Sequence, residues 1–160
     1  MSSTQVSSDP ATRASAATGV ALRFEVTMLP VADVDRAKAF YEGLGWRLDI
    51  DFEPTPDTRV VQFTPPGSPA SIHIGQGVTT MAPGSLEGMI LVVDDIERAR
   101  DELIGRGAEV SEIWYLEPGR GQVPGPDPQR STYASRATFP DPDGNVWQLQ
   151  EITERLPGRV

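Results

Sequence analysis

Apolar and polar residues alternate along this chain with two different periods, and the switches between them come twice in the same order. Phe24 to Val31 is rich in apolar and β-forming residues, as a strand is. From Asp33 the period lengthens. Ala37, Phe40, Tyr41 and Leu44 recur at helical spacing and make one apolar face. Asp33 is placed to cap that helix by accepting from a free backbone N–H, and Gly45 stands where a left-handed helix stop is wanted. Trp46 to Phe52 returns to strand character. Two further strand candidates, Arg59 to Thr64 and Ala70 to Gly75, flank Pro65-Pro66-Gly67.

The order then repeats. Met89 to Val93 reads as a strand, Asp94 or Asp95 as the next cap, and Ile96, Ala99 and Leu103 as the next apolar face. The helix stops near Gly105 or Gly107, and a strand follows over Glu109 to Tyr115. Ser135 to Phe139 and Asn145 to Ile152 close the copy across Pro140 to Gly144, where Asp143-Gly144 is a strong hairpin signal. A shift of sixty-two positions lays one copy on the other without a gap: Asp33-Val34-Asp35-Arg36-Ala37-Lys38 falls on Asp95-Ile96-Glu97-Arg98-Ala99-Arg100, and Gly43 and Gly45 fall on Gly105 and Gly107. Such a repeat is evidence of two like units. Each reads β-α-β-β-β, with Met81 to Glu87 as linker. Its sheet carries a helix on one face only. The expected fold is α+β: two tandem βαβββ modules forming one open, cup-shaped mixed sheet with helices outside and a ligand-sized concavity within. Residues 1–20 read as a Ser/Thr/Ala-rich tail, 21–155 as one domain (modules near 22–80 and 86–153), and 156–160 as a second tail.

Composition narrows the function classes. A chain of 160 residues fits a single domain. A net charge of −9 argues against nucleic acid, which is bound by cations that displace counterions, and against anionic membrane surfaces. No apolar run is long enough for a membrane span, and the start lacks the basic and apolar segments of a signal peptide. The absence of cysteine removes disulfides, thiolate metal sites and thiol nucleophiles and suits a cytoplasmic protein.

Three segments, LPVADVDRAKAFYEGLGW (29–46), LVVDDIERARDELIGRGAEV (91–110) and FPDPDGNVWQLQE (139–151), resemble the vicinal oxygen chelate superfamily, which includes glyoxalases, bleomycin-binding proteins and extradiol dioxygenases. The likeness runs over residues 22–153. It implies the fold firmly and the reaction weakly, since one fold hosts many functions. Metal-using members take a ligand from the first and last strand of each module. The matching positions are Val26, Gly88 and Gln148, with His73 near the fourth. Two of these carry no donor side chain. Glu25 and Glu151 have the wrong strand parity to replace them, because side chains alternate faces. No cofactor is therefore expected; the alternative is a divalent Fe, Zn, Ni or Mn held by His73 and Gln148 with a nearby acid.

Period two then gives the lining. Phe24, Val26 and Met28 share a face; Ile90 and Val92 follow Gly88; Gln148 and Gln150 lie together; Ser71 and His73 oppose Ile72 and Ile74. The expected chamber is apolar with His73, Gln148 and Gln150 as polar points. Trp114 adds an aromatic wall, whereas the parity of Trp147 sends it to the helix layer. The connection 116–134, rich in Pro and Gly, reads as a binding loop that brings Arg120, Arg130 and Tyr133 over a ligand or as a solvated loop. Three functions remain open. The first is a metal-independent binder of a hydrophobic or aromatic small molecule, with His73 as the natural acid or base if catalysis occurs. The second is a metal-dependent lyase, isomerase or dioxygenase. The third is an interaction protein with a filled cup. The resemblance also implies a homodimer.

Overall fold

The computed structural model describes residues 19–157 and 159. The expected N-terminal tail lies mostly outside that range. Eleven elements follow one another. The first module holds β1 (Val26–Met28), α1 (Val34–Gly43), β2 (Arg47–Thr55), β3 (Thr58–Thr64) and β4 (Ser71–Gln76). The second holds β5 (Met89–Val93), α2 (Ile96–Gly105), β6 (Trp114–Glu117), β7 (Gly121–Pro124), β8 (Ser135–Pro140) and β9 (Val146–Glu151). The two helices are offset by 62 positions (96 − 34), the period of the sequence repeat. Each begins at an aspartate cap: Asp33 accepts from Arg36 N and Asp95 from Arg98 N.

The strands make two open mixed sheets, one per module, ordered β1-β4-β3-β2 and β5-β9-β8-β6-β7. In each, the first strand runs parallel to the last and the other pairs are antiparallel. The second sheet has one strand more than the repeat implies. The connection 116–134 contributes β7, which forms a hairpin with β6 from Trp114 opposite Pro124 to Glu117 opposite Gly121.

The helix-bearing faces of both sheets merge into one core. Val61, Phe63, Ile72 and Ile74 from the first sheet and Ala137, Phe139, Trp147 and Leu149 from the second share it with Ala37, Tyr41 and Ile96. Tyr41 stands at the junction, edge-on to Trp147 at 6.4 Å and tilted on Trp46 at 4.9 Å. Trp46 and Trp147 meet edge to face at 5.1 Å. Such pairs add about 0.5–1.5 kcal/mol each beyond the area they bury.

A polar clasp locks the modules. Asp141, Asp143 and Asn145, in the turn between β8 and β9, reach back across the whole chain. Asn145 Nδ2 donates to Pro30 O at 2.8 Å and its Oδ1 accepts from Leu86 N at 3.1 Å. Asp143 Oδ1 accepts from Ala32 N and from Arg36. Asp141 accepts from the Tyr41 hydroxyl at 2.9 Å, and that hydroxyl accepts in turn from Trp147 Nε1 at 3.0 Å. Gly84 closes the linker against this turn. Its φ is +75°, and a Cβ there would stand 2.0 Å from Asp143 O, so only glycine fits.

Candidate functional site

With the helices on one side, the other face of each sheet is left open. The residues there are those of the opposite parity to the core. On the first sheet Val26 pairs with Ser71 and Met28 with His73, while Ile72 between them is buried. His73 is also opposite Gln62 on β3. Arg47, opposite Thr64, lies on this face too, and Asp49 two residues on has the same parity; the register shift beside it brings Ile50 opposite Gln62.

These side chains form one connected array. His73 Nε2 lies 2.7 Å from Gln62 Oε1, and Gln62 Nε2 donates to Asp49 Oδ2 at 3.2 Å. Thr64 donates to the same aspartate oxygen and meets Ser71 Oγ at 2.7 Å. An ionised carboxylate only accepts, so it fixes the Gln62 amide with its NH₂ toward Asp49 and its oxygen toward His73. His73 must then donate through Nε2, which leaves Nδ1 as the free acceptor; the tautomer is assigned from this network. Burial pushes the His73 pKa down, favouring the neutral ring. Burial pushes Asp49 up, but bonds from Thr64, Arg47 and Gln62 outweigh it and hold the carboxyl below its usual range.

The open face of the second sheet is a set of rows across three or five strands. Ile90, Gln148 and Thr138 make one row. Val92, Gln150, Arg136, Trp114 and Pro124 make the next. Ile90 is 52% exposed, Val92 38% and Leu116 49%, large values for aliphatic side chains in strands. Gly88 enters β5 with φ +84°. Phe24 lies outside β1 and borders a cleft of about 280 Å³ with Thr27, Ile72, Met89 and Trp147.

These features are those of a known architecture. The family model for the glyoxalase/bleomycin resistance protein/dioxygenase superfamily matches residues 23–149. The chain belongs to that superfamily. Among solved structures, TnmS3, an antibiotic binding protein from Streptomyces sp. CB03234, is 31% identical with a TM-score of 0.62, over 82% of this chain and 97% of that one. A glyoxalase/bleomycin resistance protein from the same organism is 32% identical with a TM-score of 0.59, over 80% and 99%. A superfamily member from Sphaerobacter thermophilus DSM 20745 is 27% identical with a TM-score of 0.63, over 82% and 98%. Comparison with curated proteins finds no match.

Within this superfamily fold, the residues singled out from the sequence divide between the two faces. Val26, Met28 and His73 lie on the first sheet and Ile90, Trp114, Gln148 and Gln150 on the second. Trp147 and Glu151 point into the helix layer, as their parity requires. The connection 116–134 is tied down at both ends of its course. Arg130, at φ +51°, donates to both Glu151 oxygens at 3.0 and 2.6 Å and to Glu97 at 3.0 Å. Hydrogen bonding from Arg130 holds the buried Glu151 below the usual carboxylate range. The Tyr133 carbonyl accepts from Gln150, and its hydroxyl accepts from Leu156 N. Arg120 pairs with Glu117 inside the hairpin. Arg130 and Tyr133, placed over the ligand by the binding-loop reading, thus hold the loop to the sheet.

Among the described residues no group of three or more His, Asp or Glu side chains is arranged to share a metal ion. His73 and Gln148, the pair named for a metal, stand on different sheets. Sequence reasoning missed Asp49, Gln62 and Arg136. The signal for Arg136 was present, since it has the same parity as Gln148 and Gln150 on neighbouring strands.

Proposed function

We propose that the protein binds a flat, largely apolar small molecule on the open faces of its sheets and sequesters it without a metal. The observation that carries this reading is the 31% identity to an antibiotic binding protein along 97% of that protein's length. The face chemistry agrees with it. Ile90, Val92 and Leu116 offer exposed apolar surface beside the Trp114 indole, and burial of ligand against them is worth about 25 cal/mol per Å². Gln148, neutral His73 and Gln62 supply orienting hydrogen bonds without the desolvation cost of a full charge. We further propose that a second copy of the chain covers the open faces. Ile50 and Phe52 on the first sheet and Ile90 and Val92 on the second all lie uncovered in one chain, and exposed apolar surface on open sheet faces suits a contact or ligand site.

Thermal-shift titration with polycyclic aromatic antibiotics and metabolites tests this, run with and without EDTA and followed by mass spectrometry of the recovered compound. A binder raises the melting temperature by mass action. The compound should return unchanged and the shift should survive EDTA. Loss of the shift with EDTA refutes metal independence. Conversion of the compound refutes sequestration and favours acid–base chemistry at His73, whose Nδ1 the Gln62–Asp49 chain leaves free. Sedimentation velocity reads the dimer directly.

A further inference from the structure

The second sheet carries a cation without a counter-charge. Arg136 on β8 is half-buried, and its Nε is shielded from solvent without any hydrogen-bond partner. Among the described residues no carboxylate makes an ion pair with it. Arg36, Arg47, Arg59, Arg100 and Arg130 all have one. In a protein of net charge −9, acidic side chains are not scarce. The register explains the exclusion. Arg136 is flanked by Gln150 on β9 and Trp114 on β6, with Val92 and Pro124 beyond them, and none of these is acidic. Glu117 and Glu151 stand on neighbouring strands but with the opposite parity, and each is already engaged by Arg120 or Arg130.

What Arg136 does touch is Trp114, whose ring centroid lies 5.5 Å from the guanidinium carbon. A guanidinium held over an indole keeps its planar donor fork in one orientation. The same row thus presents an aromatic platform and a positioned, unpaired cation on the face that also exposes Ile90 and Val92. A partly desolvated charge without a partner costs stability, and an anionic group arriving on this face would supply the missing partner.

We propose that Arg136 anchors the ligand, so that the preferred ligand is a planar aromatic bearing an anionic oxygen pair, a carboxylate in the simplest case. The aromatic body lies along Trp114 and the Ile90–Val92 edge, and the carboxylate takes the guanidinium donors. This rests on the small-molecule reading above and adds a charge requirement that the reading does not contain.

Calorimetric titration of the full chain with anthracene-2-carboxylate and with anthracene-2-carboxamide tests it. The two compounds share one ring system and differ in charge. Charge-assisted bonding predicts that the native protein prefers the carboxylate by roughly 10- to 100-fold. Added salt should weaken the carboxylate and leave the amide nearly unaffected, an arm that needs no mutation. In Arg136→Gln the preference should collapse to within about twofold, and Arg136→Lys should recover part of it, because lysine keeps the charge and loses the fork. Equal affinity for both compounds, or a preference that persists in Arg136→Gln, overturns the role of Arg136 and leaves the small-molecule reading standing. Binding of neither compound at millimolar concentration overturns the anchor, and failure of the whole thermal-shift panel overturns the reading beneath it.

Discussion

Replacing Tyr41 by phenylalanine removes one oxygen from the junction of the two modules and nothing else. The ring stays, so its contacts with Trp46, Phe63 and Trp147 persist. Two hydrogen bonds go: Trp147 Nε1 loses its acceptor at 3.0 Å, and Asp141 loses a donor at 2.9 Å. Asp141 is cushioned, because Asn145 Nδ2 still donates to the same oxygen at 2.8 Å and two backbone N–H groups serve the other. Trp147 is not cushioned. Its indole is 4% exposed, so the orphaned N–H finds little water. An unsatisfied buried donor costs about 1–3 kcal/mol, and a lost bond to a charged acceptor contributes about as much. With partial overlap between the two, the expected loss is about 2–4 kcal/mol, a large share of the ~5–15 kcal/mol that holds a domain. Urea denaturation at neutral pH should show a lower midpoint with an unchanged slope. A double-mutant cycle with Trp147→Phe should give a coupling of at least about 1 kcal/mol. Burial and the nearby Asp141 carboxylate push the Tyr41 phenol far above its ordinary range, so it remains a donor at any working pH. A loss below about 0.5 kcal/mol, the scatter of surface substitutions, would refute the view that this hydroxyl fastens the modules.

Other outcomes follow from the same geometry. Gly84→Ala combines a left-handed backbone with a Cβ 2.0 Å from Asp143 O, and should cost at least about 2 kcal/mol in thermal or chemical unfolding; a neutral result would show that the linker does not abut the turn. Arg130→Ala strips the buried Glu151 of its cationic partner, leaving only the Ile96 N–H on the carboxylate, and should cost about 2–3 kcal/mol at pH 7, allowing for the exposure of the arginine. Because Glu151 titrates below its unfolded value, the native protein should lose that difference as pH falls through the folded pKa, and the variant should show a flatter acid limb. His73 is the only histidine, so its ring protons give a clean NMR titration. The midpoint should lie below the ordinary value of about 6.5. Between those two values the unfolded chain binds more protons, so stability should fall as pH drops through that window and His73→Gln should remove the slope; a midpoint at or above 6.5 would contradict the burial of the ring.

Local chemistry is what the sequence expressed well. The aspartate caps at 33 and 95, the two helices and the doubled order of elements depend on neighbours within a few residues, and period two is enough to turn Ile72, Trp147 and Glu151 away from the open faces. Two things depended on pairings that the local pattern does not mark. The connection 116–134 reads as a loop because Pro and Gly dominate it, yet pairing with β6 draws Gly121–Pro124 into the sheet. Asp141 and Asn145 look like hairpin chemistry, but the fold spends them on Pro30, Tyr41 and Leu86 more than fifty residues away. The sequence alone determined which positions of one strand share a face, since strand parity is a property of the backbone. Which charges remain without partners on those faces was decided only in three dimensions, because an arginine's counter-ion is chosen by strand register and not by nearness along the chain.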